Sequence, residues 1–276
     1  MNVKGYIELI RPLNCFLAAI AVFIGYSVSV VSISAIQFDF TLLIAMASAF
    51  LICGAGQAVN DVFDLEIDKK LHPKKPLPSG RVSVKNARYF YMLLFILGIL
   101  LSFFINITAL TIALVFSLLL LVYSIFMKEY KYLGNIVVAL GTAFTLIYGA
   151  AISLNFSVVV ILAASAFFAN WGREIIKDVE DLDADKGFKK SLPMLVPREF
   201  IKWIVLVLYI LAIVLAVYAW ISGLLSGIFY IGLILISAVF FMLSFLLLFR
   251  MKLTDAQMQS KIAMAVALLA YLAGVL

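Results

Sequence analysis

The sequence predicts an all-α membrane protein that crosses the bilayer nine times. Its mean hydropathy is +1.16 and only 13% of its 276 residues are charged, whereas about a quarter are charged in ordinary soluble proteins. Its uncharged runs are long enough to supply nine spans, each of which needs about 20 residues. In that topology every basic residue falls on one face of the membrane, as the positive-inside rule requires.

The membrane-spanning helices are marked by uncharged runs between charged segments. These runs cover residues 12–38, 40–60, 89–127, 132–172, 203–249 and 262–276. The three longest have about twice the length of one span, so each is expected to reverse direction once. Polar or glycine-containing sequences typical of turns mark the reversals at residues 106–108, 153–155 and 222–227.

The distribution of basic residues predicts the orientation. All 21 Lys and Arg residues fall at the N-terminus or in loops on one face, including a last loop with Arg250, Lys252 and Lys261. The positive-inside rule makes this face cytoplasmic. We therefore expect a multi-pass protein of the cell membrane with a cytoplasmic N-terminus, cytoplasmic charged loops and a C-terminus on the outer face. The net charge of +6 then reflects topology and contact with membrane lipid or phosphate, and no nucleic-acid partner is expected.

Two cytoplasmic loops contain aspartates with the same spacing. The first motif comprises Asp61, Asp64 and Asp68, and the second comprises Asp178, Asp181 and Asp185. Every residue of the second motif lies 117 positions after its counterpart in the first. This match predicts an internal repeat of helix hairpins within a single domain, 1–276, with motif loops at 60–86 and 173–198. Because four spans separate the loops, both return to the same face and can face each other.

The spacing of each motif has a chemical consequence if its loop extends the preceding helix. Residues at i, i+3 and i+7 share a helical face, so each motif would present three carboxylates in a stripe. Two facing stripes repel unless cations lie between them, and oxygen ligands favour Mg²⁺, which usually completes its shell with phosphate oxygens. We therefore expect a Mg²⁺ cofactor and a phosphate or diphosphate ligand. Cationic side chains that would neutralise phosphate are Lys74, Lys75, Arg81, Lys128 and Arg173.

The motifs and their surroundings resemble the signatures of the UbiA superfamily of intramembrane prenyltransferases. "NDVFDLEID" at 60–68, followed by "HPKKPLPSGRVS", is similar to the first signature, and residues 178–185 are similar to the second. "RPLN" at 11–14 and "YSIFMK" at 123–128 also match family positions, and the resemblance covers essentially the whole chain. Within the family, "LIRPLNC", "PLPSGRVS" and "GREIIKDVED" are most similar to the archaeal digeranylgeranylglyceryl phosphate synthases.

This resemblance implies nine helices around a central cavity that is capped by the cytoplasmic loops. It implies that Asn60 and the six motif aspartates hold Mg²⁺ on the diphosphate of an isoprenyl donor, and that a lipid-like acceptor captures the resulting allylic cation. In the favoured subfamily, geranylgeranyl diphosphate is the donor. The acceptor is geranylgeranylglyceryl phosphate, whose free hydroxyl forms the second ether bond of archaeal membrane lipid.

Further candidates for substrate binding lie near the cytoplasmic ends of the helices. They are Arg11, Asn14, Tyr123, Lys128 and Lys177. Arg11 and Asn14 would meet an acceptor phosphate, although an interfacial anchor is an equally good interpretation. If they do not bind substrate, Tyr123 would belong to the belt of aromatic residues at the membrane interface, and Lys128 would help to fix the orientation of the protein in the membrane.

Other functions are consistent with parts of the sequence. A cation or phosphate transporter would use the acidic loops as an entry site, but it would place coupling charges at mid-depth, where these spans have none. A structural scaffold leaves the paired motifs unexplained. An aromatic prenyltransferase of quinone synthesis or a haem farnesyltransferase would use the same metal chemistry on another acceptor.

Overall fold

The computed structural model describes residues 2–30, 38–127 and 129–275, which form a helical bundle. In chain order the helices are α1 (Val3–Ile10), α2 (Pro12–Ser29), α3 (Phe40–Phe63), α4 (Leu65–Leu71), α5 (Val84–Phe103), α6 (Ile107–Val122), α7 (Lys131–Ala150), α8 (Val159–Glu180), α9 (Leu182–Asp185), α10 (Leu192–Leu195), α11 (Arg198–Ile221), α12 (Ile228–Phe249) and α13 (Leu253–Ala273). A π-helical turn, Tyr123–Met127, extends α6. Within the described ranges, nine of these helices are long and apolar enough to cross a membrane. The predicted all-α, nine-span fold is confirmed.

The three predicted reversal points are also confirmed. Each lies between two spans, at residues 104–106, 151–158 and 222–227. The first two of these turns meet where Asn106 Nδ2 donates to the Ala151 carbonyl (2.7 Å), and Ser153 Oγ also donates to Ser29 Oγ at the end of α2 (2.6 Å). Asn106 also accepts a hydrogen bond from the Ala109 amide (2.8 Å) and thereby caps α6.

The ninth span begins earlier than the sequence predicts. α13 starts at Leu253, so the predicted span of 262–276 is wrong, as is the placement of Lys261 in the preceding loop. The helix accommodates two charges near this end. Asp255 lies in the first turn, where the helix dipole favours an acidic group, and the exposed Lys261 can extend along the helix surface towards water.

Close packing of backbones and buried hydrogen bonds hold the spans together. A Cβ added at Gly25 would lie 2.1 Å from the Leu146 carbonyl oxygen, and one added at Gly149 would lie 2.1 Å from that of Val22. α2 and α7 therefore touch backbone to backbone, as small residues allow in membrane helices. A buried hydroxyl network formed by Ser48, Ser102 and Tyr148 joins α3, α5 and α7.

The loop after the first motif is fixed to the bundle by two apolar side chains. Leu77 and Val82 are buried against α1 and α3, in a cluster that includes Leu9 and Ala58. The turn between them contains Gly80 with a φ of +73°, a conformation that glycine adopts without steric cost. This anchoring holds the basic segment 74–75 beside the first motif.

Candidate active site

The two aspartate motifs have the same local backbone. α3 and α8 are each capped by the middle aspartate of a motif, Asp64 (φ −88°, ψ 4°) and Asp181 (φ −82°, ψ 0°). The short helices α4 and α9 begin at the next residue. Each motif therefore continues the preceding helix, as expected from the sequence. The equivalence of these boundaries supports the internal repeat, which stays a prediction.

The first motif is surrounded by cationic side chains. Arg11 Nη2 donates to Asp61 Oδ1 at 2.6 Å, and Lys75 Nζ lies 3.6 Å from the same oxygen. Lys75 also binds both carboxylate oxygens of Asp68, at 2.8 and 2.9 Å. Arg11 separates α1 from α2 and has a φ of +49°, a strained conformation for a residue other than glycine. That conformation turns the chain between the two helices and places the guanidinium on Asp61.

The second motif surrounds one ammonium group. Lys131 Nζ lies 3.3 Å from Asp178 Oδ1, 3.0 Å from Asp181 Oδ2 and 2.6 Å from Asp185 Oδ2. Asn135 Nδ2 donates to the other carboxylate oxygen of Asp178 at 2.7 Å. Lys131 and Asn135 are four residues apart on α7, so they project from one helical face. The start of α7 therefore supplies both groups that hold this motif.

The two motif loops contact each other. Lys189 Nζ, from the second loop, lies 3.2 Å from Asp64 Oδ1 of the first motif. In addition, the ammonium of Lys70 lies 5.0 Å from the centroid of the Phe188 ring, within cation–π range. The expectation that both loops lie on one face and meet is therefore confirmed by these contacts.

The π-helical turn before α7 adds two side chains to this region. Ser124 Oγ donates to Asn60 Oδ1 at 2.8 Å, which orients the amide beside the first motif. Tyr123 is buried, and its ring lies directly over Gly134, where there is no side chain to displace it. Lys128, the other candidate from this segment, lies outside the described residues.

The charged groups of three other candidates pair with partners outside the two motifs. Arg81 binds Glu8 Oε2 (2.7 Å) and the Lys74 carbonyl (2.7 Å), and the guanidinium keeps the pKa of the Glu8 carboxyl below its ordinary value. Arg173 and Lys177 both pair with the buried Glu174 on α8. Within the part of the chain that the structure describes, these three charged groups form ion pairs with Glu8 or Glu174 and not with a motif aspartate.

An open pocket of about 510 Å³ lies beside Asp61. Its lining residues are Glu8, Arg11, Asp61, Leu71, His72, Pro73, Lys74, Lys75 and Pro76. Asn14 lies three residues after Arg11 in the sequence and is exposed. Among the described residues its side chain has no hydrogen-bond partner. The pocket therefore brings the basic side chains of Arg11, Lys74 and Lys75 together with Asp61 of the first motif.

Sequence reasoning missed Lys131, Asn135, Ser124 and Lys189 as parts of this region. Lys131 and Asn135 do carry a signal, because a polar pair at i and i+4 near the start of an apolar span predicts a shared inward face. Lys189 carries no such signal, since its partner Asp64 is 125 positions away in the sequence.

The donor chemistry of the two motifs fits Mg²⁺. In the described contacts the motif aspartates meet Arg11, Lys75, Lys131 and Lys189, and the carboxylates together with the Asn60 amide offer oxygen ligands, the type that Mg²⁺ prefers. Among the described residues, no group of three or more His, Cys, Asp or Glu side chains is arranged to hold a metal by itself. Mg²⁺ commonly binds one or two carboxylates and takes its other ligands from water and phosphate. The set therefore suits a metal that arrives with a phosphorylated ligand.

Comparison with known sequences agrees with this chemistry. The model of the UbiA prenyltransferase family matches residues 17–272. The chain belongs to the UbiA prenyltransferase family. It is therefore a prenyltransferase and a multi-pass membrane protein, and the transporter and scaffold alternatives are set aside.

Individual relatives narrow the comparison within the family. The chain is 39% identical to the digeranylgeranylglyceryl phosphate synthase of Methanococcus maripaludis, over 90% of this chain and 86% of the relative. It also matches a solved structure described as giving insight into digeranylgeranylglyceryl phosphate synthase in membranes, with a TM-score of 0.85, 35% identity, and coverage of 99% and 98% of the two chains. A UbiA homologue from Archaeoglobus fulgidus, bound to DMAPP and Mg²⁺, shares the fold with a TM-score of 0.68, 19% identity and coverage of 97% and 99%.

Proposed function

We propose that this chain transfers a geranylgeranyl group from geranylgeranyl diphosphate to the free hydroxyl of geranylgeranylglyceryl phosphate, forming the second ether bond of archaeal membrane lipid. The observation that carries the proposal is the meeting of two aspartate motifs and their cations at one end of a membrane bundle, where Lys189 bridges to Asp64. Similarity to synthases of this name over 90% of the chain supports the choice of donor and acceptor.

The donor diphosphate would lie between the two motifs. Asn60 and the six aspartates would hold Mg²⁺, which, when bound, would stabilise the negative charge that develops on the leaving diphosphate. Lys75 and Lys189 already lie at the motif carboxylates and are partly exposed, so their ammonium groups can reach phosphate oxygens placed there. Tyr123 and Lys128 are further candidates for this subsite, whereas Arg81, Arg173 and Lys177 would have to leave their present acidic partners.

The acceptor phosphate would lie in the pocket beside Asp61. Arg11, with a side chain that is 42% exposed, reaches both this pocket and the first motif. Lys74 lines the same pocket, and among the described residues its ammonium has no ion-pair partner. Together these side chains offer a guanidinium fork and an ammonium to an anionic headgroup. Asn14 lies next to them at the start of α2.

The reaction that these subsites serve is a substitution at the first carbon of the donor. The bond from this carbon to the diphosphate oxygen breaks, and its electron pair leaves with the diphosphate. The acceptor hydroxyl oxygen then forms the ether bond and releases its proton. Because the pocket adjoins the first motif, an acceptor held by its phosphate would have its hydroxyl close to the donor carbon. Both lipid tails would stay in the bilayer throughout.

The reaction would occur at the cytoplasmic face. The basic residues that the structure describes lie in the N-terminal segment, in the loops that carry the two motifs, in the loop before α13 or on the adjoining parts of the helices, and the positive-inside rule assigns that end to the cytoplasm. The C-terminus would then be on the outer face. Cysteine labelling of single-cysteine variants in sealed vesicles tests this orientation.

The function is tested with purified protein in lipid and radiolabelled geranylgeranyl diphosphate, with and without Mg²⁺. Geranylgeranylglyceryl phosphate, geranylgeranylglycerol and 4-hydroxybenzoate are offered separately as acceptors. We expect a Mg²⁺-dependent ether product with the phosphorylated acceptor and much less with the alcohol that lacks phosphate. A product only with 4-hydroxybenzoate would contradict the proposal and assign the chain to quinone synthesis.

The Arg11→Gln variant tests the acceptor pocket in the same assay. We expect a raised KM for geranylgeranylglyceryl phosphate, because the guanidinium that faces the pocket is lost. Lys252→Gln is a control of equal charge change in the loop before α13, away from the pocket. Equal KM values for Arg11→Gln and the wild type would show that the acceptor phosphate binds elsewhere.

A further inference from the structure

The cations at the two motifs differ in how deeply they are buried. The Lys131 side chain is 12% exposed and touches all three aspartates of the second motif. At the first motif the Lys75 side chain is 31% exposed and Arg11 is 42% exposed, whereas Lys189, which contacts only Asp64 there, is 16% exposed. A buried ammonium that is shared by three carboxylates is costly to remove, because the carboxylates would be left close together without a counter-charge.

The second motif is also attached more firmly to the bundle. Asp178 is completely buried and is held by Lys131 on one oxygen and Asn135 on the other. Both partners belong to α7, a membrane span, whereas Lys75 belongs to the loop that follows the first motif. The position in the first half that corresponds to Lys131, by the 117-residue offset, is the exposed Asn14. The two halves of the chain therefore differ at this point.

We propose that Lys131 is a positioning residue whose ammonium stays in the second motif during substrate binding. It neutralises the inner side of the motif and fixes the three carboxylates, so that Asp181, whose side chain is 38% exposed, faces the incoming ligand. Lys75, whose side chain is 31% exposed, is the cation that moves when the donor binds. The inference rests on the proposed function, because it concerns the subsite for the donor diphosphate.

An alternative role for Lys131 predicts a different effect on donor binding when its ammonium is removed. If its ammonium only fills the place of a divalent cation until the donor arrives, removing the ammonium would make metal binding easier. If the ammonium is permanent, its removal leaves the three carboxylates repelling one another, and they move from the arrangement that holds the donor. Metal binding without donor is expected to rise in both cases, so donor affinity at saturating metal distinguishes the two roles.

The test uses the full-length protein in lipid nanodiscs, with Mn²⁺ as a probe for Mg²⁺ and radiolabelled geranylgeranyl diphosphate as the donor. Electron paramagnetic resonance measures bound Mn²⁺, and filtration measures bound donor. For Lys131→Met we expect donor affinity to fall at least tenfold at saturating Mn²⁺, while Mn²⁺ binding without donor rises. Lys186→Met is the matched control, because Lys186 directly follows the second motif in sequence but pairs with Asp183 at the surface. It should bind both ligands like the wild type.

Lys131→Gln provides a second variant with nearly the same length and no charge, in case the methionine variant does not fold. Retained donor affinity together with a lower Mn²⁺ requirement in either folded variant would overturn the proposal, as it would show that Lys131 occupies the place of the metal. If the wild type itself bound no geranylgeranyl diphosphate with Mn²⁺ or Mg²⁺, the proposed function would fail instead.

Discussion

Replacement of Gly134 by alanine tests whether the position of Tyr123 matters. The added Cβ would lie 2.2 Å from Tyr123 Oη and 2.6 Å from Cζ, whereas an ordinary contact begins at 3.4 Å. The ring must therefore move by about 1 Å, and the π-helical turn that holds Ser124 against Asn60 moves with it. Overpacking of this kind costs about 1–3 kcal/mol. A displacement of this size near reacting groups can lower a rate by about 100-fold.

Gly232→Ala is the matched control for this substitution. It also lies within a membrane span, but a Cβ there would meet nothing within 4 Å. It therefore measures the gain of up to about 1 kcal/mol that alanine brings to a helix by itself.

Two measurements are needed, the apparent Tm in detergent and the rate of prenyl transfer in lipid. We expect Gly134→Ala to lose roughly 2–12 °C in Tm relative to the control and about 100-fold in rate. Wild-type values for both would refute the assignment of Tyr123 and its turn to the active site.

Further predictions concern the motifs, the metal and pH. Asp64→Ala and Asp181→Ala should abolish transfer but keep the wild-type size-exclusion profile, because both side chains are partly exposed; near-normal turnover in either would disprove the two-motif site. Removal of divalent cations with EDTA should abolish donor binding, and Mg²⁺ should restore it. Because Arg81 lowers the pKa of Glu8, their ion pair stabilises the fold above the ordinary glutamate pKa and is lost as pH falls through the lowered value. Glu8→Gln should therefore lower the apparent Tm at neutral pH but not in acid, and an equal loss at both would contradict this pairing.

The sequence predicted which parts of the chain cross the membrane because each span needs about 20 residues that are almost free of charge. Such runs can be recognised directly in the sequence. It misjudged the start of α13, where Asp255 and Lys261 lie on the helix. Charges near a helix end are tolerated because their side chains reach water. A prediction that starts each span after the last charged residue therefore makes such a span too short.

The candidate site was predicted in part. Repetition of the aspartate spacing identified both motifs and the face on which they meet. Which cation pairs with each carboxylate could not be predicted from the sequence. The pairing depends on how the ends of helices that are distant in the sequence pack together. Arg81 binds Glu8 and not a motif aspartate, whereas Lys131 and Lys189 reach the motifs from other parts of the chain.

The sequence by itself determined that this protein is a nine-span membrane enzyme with two related acidic motifs, since hydropathy, charge and spacing are local properties of the chain. Only the tertiary structure decided that one motif is closed around a buried ammonium while the other borders an open pocket. The packing of neighbouring helices is the reason for this difference. The two aspartate spacings are identical, but among the described residues only the second motif receives a lysine from an adjacent membrane span, Lys131 of α7, between its three carboxylates.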